Sequence, residues 1–309
     1  MEKYDLAIIG AGPAGMSAAL FAEGDGLKFR LIEKQEPCGF VEQVINTNFT
    51  NLENYLGLYN LSGTQVAGIF RAHLLSRGIP IYGEDVSGIN LSHRTFQIHS
   101  SQGICEATSV ILATGTKPKR LEVLGLEGIP NRIHYRADLR FSEYVGKQVL
   151  VIGGRNTGAV TAVRLKEQGL APVIIEKNKT LSVKEKYLRR LRELSIPILA
   201  NSYLERVFGT GEISKVQLVI DGQRSTMRPI AIFSCVGYIP NNDLAFKLGL
   251  KVDDYGYIEV DRRMQTSRDG IFAAGDVNGG VKMIAVASGE GAIAEYYANL
   301  FVRQKWKRE

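Results

Sequence analysis

Cysteine is scarce in this chain, and its spacing excludes several kinds of chemistry. The 309 residues contain only Cys38, Cys105 and Cys235, and none of them lies near another in sequence. They form no CxxC pair, zinc pattern or disulfide framework. We therefore expect three reduced, buried cysteines and predict no metal site.

Long hydrophobic runs are also missing. No apolar segment approaches the roughly 20 residues that span a bilayer. Residues 1–5 lead directly into a strand, a pattern unlike that of a signal peptide. With 45% hydrophobic and 23% charged residues, the composition is typical of a globular protein. We expect a cytoplasmic enzyme with no membrane partner and, at about 150 residues per domain, two domains.

The net charge of +6 bears on partners. Basic residues are spread along the chain, with denser runs at 184–192 and 303–308. Glu185 and Glu193 interrupt the first run, and no nucleic-acid motif is present. A solvated helix face is therefore favoured over nucleic-acid binding. Docking of an acidic protein remains a third interpretation.

One order of elements occurs twice in the sequence. The first copy consists of strand 5–9, glycine turn 10–15, helix 16–23 and strand 29–33. The second consists of strand 148–152, turn 153–158, helix 159–168 and strand 172–176. A duplicated βαβ unit predicts an α/β protein with two Rossmann-like, three-layer nucleotide-binding domains.

The regions between and after the copies indicate the domain layout. Residues 95–99, a turn around Gln102-Gly103 and residues 109–115 predict a hairpin feeding a buried strand, and stretches 116–119 and 237–242 are candidate boundaries. The last part predicts strand 270–274, a sharp Gly275-Asp276 turn and helix 284–302. If this part returns to the first domain, that domain comprises 1–116 and 243–309, and the second domain, 117–242, is inserted into it.

The first turn carries the pattern GxGxxG in Gly10, Gly12 and Gly15. Such glycines let the backbone turn tightly and approach a pyrophosphate, which lies at the positive end of the following helix. Glu33 ends the next strand, where a carboxylate accepts hydrogen bonds from a ribose. These features favour dinucleotide binding over a turn needed only for packing.

At this point the sequence resembles the flavoproteins that include low-molecular-weight thioredoxin reductases and thioredoxin-reductase-like ferredoxin–NADP reductases. The resemblance covers nearly the whole chain. It rests on segments 10–15, 53–55, 113–115, 153–154, 236–241 and 270–277. The last segment is the most specific, because in the family the aspartate at Asp276 binds the ribityl chain of FAD.

The resemblance implies FAD in the first domain, an NAD(P)-binding-like second domain, and a homodimer. It implies FAD contacts at Gly10, Gly12, Pro13, Ala14, Gly15, Glu33, Lys34, Asn54, Val86, Ala113, Thr114, Gly115, Gly275, Asp276, Lys282, Met283 and Ile284. The family places 282–284 at the pyrimidine edge of the flavin, where a helix N-terminus stabilises negative charge. Thioredoxin reductases carry Arg-Gln-Ala there, so Met283 is either a flavin neighbour or a core-filling residue.

Two departures from the family bear on function, and the first is the missing dithiol. Thioredoxin reductases carry CxxC just before the midway strand, where this chain has residues 133–141. We therefore do not expect classical thioredoxin reduction. The segment is closer to that of the ferredoxin–NADP reductases. His134 within it is interpreted as structural or, alternatively, as an acid/base group near the flavin.

The second departure lies in the midway turn, where Arg155 replaces the middle glycine. Its side chain either blocks the pyrophosphate or grips a phosphate. The tentative second nucleotide site comprises Gly153, Gly154, Arg155, Asn156, Thr157, Glu176 and Lys177. The family's basic cluster for a 2′-phosphate is incomplete, with Ser182 at one expected arginine. Glu176 disfavours a 2′-phosphate, so NADH is expected rather than NADPH, unless neither binds.

Three functions are therefore considered. The first is a ferredoxin–NAD(P) reductase-like enzyme whose basic surplus helps an acidic ferredoxin to dock. The second is a flavoenzyme with a disabled nicotinamide site that takes electrons from a protein donor. The third is a non-catalytic flavoprotein. In the two enzymes electrons enter at the flavin, so no side chain is named as catalytic.

Overall fold

The computed structural model describes residues 1–44, 51–92, 94–136 and 141–306. Residue contacts divide the chain into two units. The first unit runs up to Lys117 and resumes at Ile239, and the second runs from Pro118 to Tyr238.

Strands and α-helices alternate around each of the two glycine turns, and elsewhere several strands follow one another. The strands are β1 (Glu2–Ile9), β2 (Phe29–Glu33), β3 (Ile81–Gly83), β4 (Val86–Ser92), β5 (Thr95–Ser100), β6 (Gly103–Leu112), β7 (Thr116–Pro118), β8 (Ile133–His134), β9 (Gln148–Ile152), β10 (Ala171–Ile175), β11 (Ile198–Leu199), β12 (Ser202–Thr210), β13 (Glu212–Ile220), β14 (Gln223–Met227), β15 (Ala231–Ser234), β16 (Tyr238–Pro240) and β17 (Ile271–Ala273). The α-helices are α1 (Pro13–Gly24), α2 (Gly39–Val44), α3 (Gly63–Ser76), α4 (Asn156–Glu167), α5 (Glu185–Glu193), α6 (Asp243–Lys247) and α7 (Ile284–Trp306). Short 3₁₀ turns occupy Leu126–Gly128, Pro130–Arg132, Ser142–Tyr144 and Asp276–Asn278.

The first unit is built on a parallel sheet of order β3-β2-β1-β6-β17. This is the doubly wound arrangement, with the strand order reversing beside β1. Leu6 and Ile8 of β1 face one core and Ala7 and Ile9 face the other. A strand buried on both faces needs such a continuous apolar run.

A hairpin of β5 and β6 extends the sheet, but its layout differs from the prediction. The second arm and the buried strand are one continuous element, β6, which pairs with β5 near Gly103 and with β17 near Leu112. The hydrophobic pattern did not predict one continuous strand, because the first half of β6 alternates in exposure and its second half is fully buried.

Helices α1 and α7 pack closely in the first unit. A Cβ at Gly291 of α7 would lie 2.0 Å from the Ala14 carbonyl oxygen of α1, so only glycine allows this approach. Helix α1 begins three residues earlier than predicted, because Pro13 suits a first helical turn. Within the described part of the chain, no helix combines the length and hydropathy needed to cross a membrane.

The second unit repeats the arrangement, with a parallel sheet of order β11-β10-β9-β15-β8. Helix α4 begins at Asn156 rather than at the predicted 159, as α1 began early. A separate antiparallel sheet, β12-β13-β14, was not predicted. It covers one face of the parallel sheet, since Val207 and Leu218 share a core with Leu150 and Ile232. The predicted α/β class with two Rossmann-like units is confirmed.

Helix α7 buries one carboxyl group without a partner. Glu295 is 0% exposed, and neither of its carboxyl oxygens is hydrogen-bonded to a described residue. Burial raises the pKa of Glu295 to about 7, the neighbouring Asp25 adds to the rise, and Arg303 opposes it. Because the folded state favours the proton, this group contributes stability below its ordinary pKa of 4.5 and loses that contribution as pH rises through about 7.

We expect Glu295→Gln to flatten the dependence of stability on pH. Between pH 4.5 and 7 the unsubstituted protein should lose up to roughly 3 kcal/mol relative to the variant. Thermal unfolding of the flavin-loaded protein from pH 5 to 8 measures this difference. Glu259→Gln, at an exposed carboxyl of the same unit, is the control. Parallel profiles for the unsubstituted and Glu295→Gln proteins would contradict the assignment.

Candidate functional site

The first glycine turn brings β1, α1 and the end of β6 into close contact. A Cβ at Gly10 would lie 2.3 Å from the Ala113 carbonyl oxygen, and one at Gly15 would lie 1.8 Å from the Gly10 carbonyl oxygen. Gly10 also has φ of +107°, which disfavours other residues. Both positions therefore require glycine for packing alone.

Gly12 differs from its neighbours in the turn. Its φ of −77° and ψ of −175° suit any residue, and an added Cβ would meet no described atom within 4 Å. Packing within the protein therefore does not require glycine here. The open space lies at the N-terminus of α1, whose first N–H groups lack helical partners and attract phosphate.

Glu33 is hydrogen-bonded to the turn beside this space. One carboxylate oxygen accepts a bond from the Ala11 N–H at 2.8 Å, and the other accepts from the Gln35 N–H at 2.9 Å. A carboxylate has about four acceptor positions, so roughly two remain for a ribose.

Asp276 follows β17 at the same edge of the sheet. Its carboxylate is partly buried and has no hydrogen-bond partner among the described residues. Burial raises the pKa of Asp276, and the positive charge of Lys282 opposes this rise. The preceding Gly275 approaches α1 closely, since its Cβ would lie 3.0 Å from Ala14 Cβ. An unsatisfied carboxylate beside the phosphate end of α1 fits a ligand that carries both phosphates and hydroxyls, as FAD does.

Several predicted flavin residues have partners within the protein. The Thr114 hydroxyl donates to the Asn241 carbonyl at 2.8 Å, and the Asn241 amide donates to the Thr114 carbonyl at 2.7 Å. Lys282 Nζ donates to the Tyr257 hydroxyl at 2.7 Å. Met283 is 46% exposed at the start of α7, so it is not the core-filling residue of the alternative interpretation.

The remaining predicted positions are less closely tied to the turn. Asn54 and Lys34 are exposed, and Val86 begins β4 at the rim of a core. Pro13, Gly115 and Ile284 lie, respectively, at the start of α1, after β6 and at the start of α7. Their assignment to FAD stays a prediction.

Sequence reasoning missed Glu290, which supports the Asp276 turn. Its Oε2 accepts hydrogen bonds from the Gly275 N–H at 2.8 Å and from the Asn278 amide at 2.9 Å. Glu290 lies between Gly289 and Gly291, but this local pattern does not reveal which hydrogen-bond partners Glu290 has.

The cysteines have no redox-active arrangement. All three are free thiols. Burial raises the pKa of Cys38 to about 12 and that of Cys235 to about 11, and it also raises the pKa of Cys105. Protonated thiols are poor nucleophiles. Cys38 and Cys105 are buried as predicted, whereas Cys235 is only half-buried.

The second glycine turn repeats the backbone of the first. A Cβ at Gly153 would lie 2.5 Å from the Cys235 carbonyl oxygen, and one at Gly158 would lie 1.8 Å from the Gly153 carbonyl oxygen. Arg155 has φ of −80° and ψ of −176°, nearly the angles of Gly12. Its Cβ therefore lies at the position in the second turn that corresponds to the open space beside Gly12 in the first. The Arg155 side chain is exposed and pairs with no described residue.

Glu176 is more fully engaged than Glu33. It is 6% exposed, and it accepts bonds from the Gly154 N–H at 2.6 Å and from the Asn178 N–H and side-chain amide at 2.8 Å each. Three of about four acceptor positions are thus taken. This weakens the argument that Glu176 selects NADH through a ribose hydroxyl.

The other predicted residues of the second turn lie near Arg155 and Glu176 in sequence. Asn156 begins α4, and its Oδ1 accepts a bond from the Lys184 N–H at 2.9 Å. Thr157 and Lys177 are exposed. The two turns share a backbone but differ in the space and acceptors that they offer.

His134 lies inside an aromatic cluster of the second unit. Its ring centroid is 4.7 Å from that of Phe141 and 4.9 Å from that of Phe233, and Nε2 is 3.0 Å from the Tyr144 hydroxyl. Burial lowers the pKa of His134, with Arg132 adding to the shift and Glu143 opposing it. This environment favours the structural interpretation. Residues 137–140 of the predicted CxxC replacement and 307–308 of the basic tail lie outside the described residues.

Comparison with known proteins places this architecture in a class. A thioredoxin reductase of Ureaplasma parvum serovar 3 is 32% identical over 311 residues, covering 99% of each chain. The thioredoxin reductase structure of Lactococcus lactis matches with a TM-score of 0.89 and 29% identity, covering 97% of this chain and 99% of that one. A ferredoxin-flavin thioredoxin reductase structure from Clostridium acetobutylicum matches with a TM-score of 0.56 and 27% identity, covering 100% of each.

These similarities confirm the resemblance to the thioredoxin reductase-like flavoproteins. The model of the family described as pyridine nucleotide-disulphide oxidoreductase matches residues 4–291. The chain belongs to this family and is an FAD oxidoreductase of the thioredoxin reductase-like class.

We expect Gly12→Val to lose FAD without losing the fold. The backbone angles tolerate valine and no described atom opposes its Cβ, so only the ligand should be excluded. The ratio of flavin to protein absorbance after purification measures retention, and circular dichroism checks the fold. Gly15→Val, which must collide with the Gly10 carbonyl, should instead impair folding. Full FAD retention in Gly12→Val would exclude this turn as the pyrophosphate site.

His134→Phe tests the structural role of the histidine. Removing its bond to Tyr144 should lower the free energy of unfolding by about 1 kcal/mol while leaving the rate of flavin reduction by dithionite unchanged. Tyr144→Phe, which removes the same bond from the other side, is the matched control. A changed pH profile of flavin reduction in His134→Phe alone would instead indicate an acid/base role.

Proposed function

We propose that the chain is an FAD-dependent electron-transfer enzyme that exchanges electrons with a one-electron protein carrier such as ferredoxin, without a protein dithiol. The observation that carries this proposal is the contrast between the two turns. The first offers space and free acceptors for a dinucleotide, while the second fills the matching space with Arg155. The similar protein from Clostridium acetobutylicum, named as a ferredoxin-flavin enzyme, supports a protein carrier.

Bound FAD would supply a group that can exchange electrons singly with a protein carrier or in pairs with a nicotinamide. The chain's own residues would hold and tune it. Glu33 and Asp276 offer acceptors, and the N-terminus of α1 offers N–H donors. The N-terminus of α7 favours negative charge beside it, and Lys282 adds to that effect.

Two versions of this function differ in the source of the electrons. A reduced protein carrier is the version that the geometry of Arg155 and Glu176 favours. The second candidate is NADH, favoured by the intact packing of Gly153 and Gly158 and by the family's use of pyridine nucleotides. A homodimer and a cytoplasmic location belong to this proposal through the family resemblance.

Anaerobic titration of the purified flavoprotein distinguishes these versions. We expect dithionite and a reduced ferredoxin to bleach the flavin absorbance rapidly, and NADH and NADPH to bleach it slowly. The variant Arg155→Gly should increase the rate with NADH, because it restores the open space found at Gly12. Rapid bleaching of the unsubstituted protein by NADH would favour the second candidate. Bleaching by dithionite alone would contradict both and favour a non-catalytic flavoprotein.

A further inference from the structure

The basic surplus of the chain belongs entirely to the second unit. Residues 118–238 contain 20 of the 38 lysines and arginines but only 11 of the 32 aspartates and glutamates. Their net charge is therefore +9, and that of the remaining residues is −3, from 18 basic and 21 acidic side chains. This asymmetry concerns binding rather than folding, because such a field steers charged partners.

Many basic residues of the second unit have acidic partners. On α5, Arg190 lies 3.2 Å from both Glu167 and Glu193, and Arg192 lies 3.3 Å from Glu185. On the antiparallel sheet, Arg224 lies 2.9 Å from Glu205. Paired charges of this kind largely cancel at a distance, so they do not make the unit attractive to anions.

Four other basic residues of the second unit have no acidic partner in the described part of the chain. Arg155, Lys177, Lys179 and Lys184 are exposed, and their side chains pair with no acid in the described part of the chain. We call these four residues the basic edge, because they follow the carboxyl ends of β9 and β10 or precede α5.

Two hydrogen bonds from backbone N–H groups to side-chain oxygens bring three of the four close together. Gly154, next to Arg155, donates to Glu176, next to Lys177, at 2.6 Å. Asn156, on the other side of Arg155, accepts from the Lys184 N–H at 2.9 Å. Lys179 lies two residues beyond Lys177 and borders a shallow depression with Asn201 and Asp221.

Among the described residues, the acids near the basic edge form no ion pair with its four cations. Glu176 is buried beneath it and engaged in three hydrogen bonds. Glu185 lies beside Arg192, and the Asp221 carboxylate accepts a bond from the Asn201 amide. The edge therefore presents four exposed cations that no described acid pairs with, beside the turn in which Arg155 replaces the middle glycine.

We propose that the basic edge is a docking surface for an acidic protein, namely the electron carrier of the proposed function, on which this inference rests. Exposed lysines suit such docking because charges attract over a Debye length of about 8 Å without needing a preformed pocket. The complementary surface carries clustered carboxylates. Binding weakens as salt rises, and the lysines contribute chiefly to the rate of association.

A pair of matched variants tests this surface. The edge variant, Lys177→Glu with Lys184→Glu, and the control variant, Lys147→Glu with Lys166→Glu, carry equal charge changes within one unit. All four lysines are exposed, but the control pair lies where β9 and α4 meet the opposite edge of the sheet. The probe is an acidic 2[4Fe–4S] ferredoxin, and its dissociation constant for each flavin-loaded protein is measured at low and high salt.

We expect the edge variant to bind about tenfold or more weakly at low salt, with a flatter salt dependence, and the control to change by only about twofold. Equal weakening by both variants would overturn the proposal, because only net charge would then matter. The absence of ferredoxin binding to the unsubstituted protein would also overturn it. The proposal would also be overturned if a duplex DNA bound the unsubstituted protein more tightly than ferredoxin does, and if that binding depended on Lys177 and Lys184.

Kinetics separate this inference from the proposed function. With reduced ferredoxin as donor, the edge variant should show a raised KM and an unchanged kcat for flavin reduction. If ferredoxin does not reduce the flavin of the unsubstituted protein, the proposed function itself fails. If it does so and the edge variant keeps the same KM, the docking surface fails while the proposed function stands.

Discussion

The close approach of a glycine turn to the end of a neighbouring strand is the constraint on which both sites depend. In the first unit, Gly10 lies against the Ala113 carbonyl and Gly15 against the Gly10 carbonyl, and Gly153 and Gly158 repeat these contacts in the second. Any side chain at these positions would push the helix away from the sheet. The contacts therefore fix where α1 and α4 begin, and so where their positive ends point.

This shared scaffold leaves the middle position of each turn free to vary. The angles of Gly12 and Arg155 differ by only a few degrees, so the substitution changes the space available to a ligand and leaves the fold unchanged. The acid after each second strand has diverged similarly. Glu33 keeps about two free acceptor positions. Glu176 instead accepts hydrogen bonds from the Gly154 N–H and from the Asn178 side-chain amide. One fold thus presents two turns that differ in open space and in free hydrogen-bond acceptors.

The sequence predicted what depends on local pattern. The duplicated βαβ units and the glycine turns follow from the periods of the strands and helices. The antiparallel sheet β12-β13-β14 was missed, because its strands carry no signal that assigns them to a layer. The bonds of Glu290 to Gly275 and of Asn241 to Thr114 join residues that are distant in sequence. The single-chain pattern reveals which residues are special but not which partner each one finds.

The missing dithiol and the charge asymmetry both favour a one-electron protein carrier as the partner. A CxxC relay would pass electrons in pairs to a disulfide that must reach the thiols closely. Because the three cysteines are isolated and burial raises their pKa values, the proposed function exchanges electrons at the flavin itself. A carrier that exchanges electrons singly with the flavin needs only to approach it, and approach is governed by surface charge more than by a shaped pocket. The net charge of +9 on the second unit is thus consistent with the proposed loss of thiol chemistry, because both favour a carrier recognised by its field.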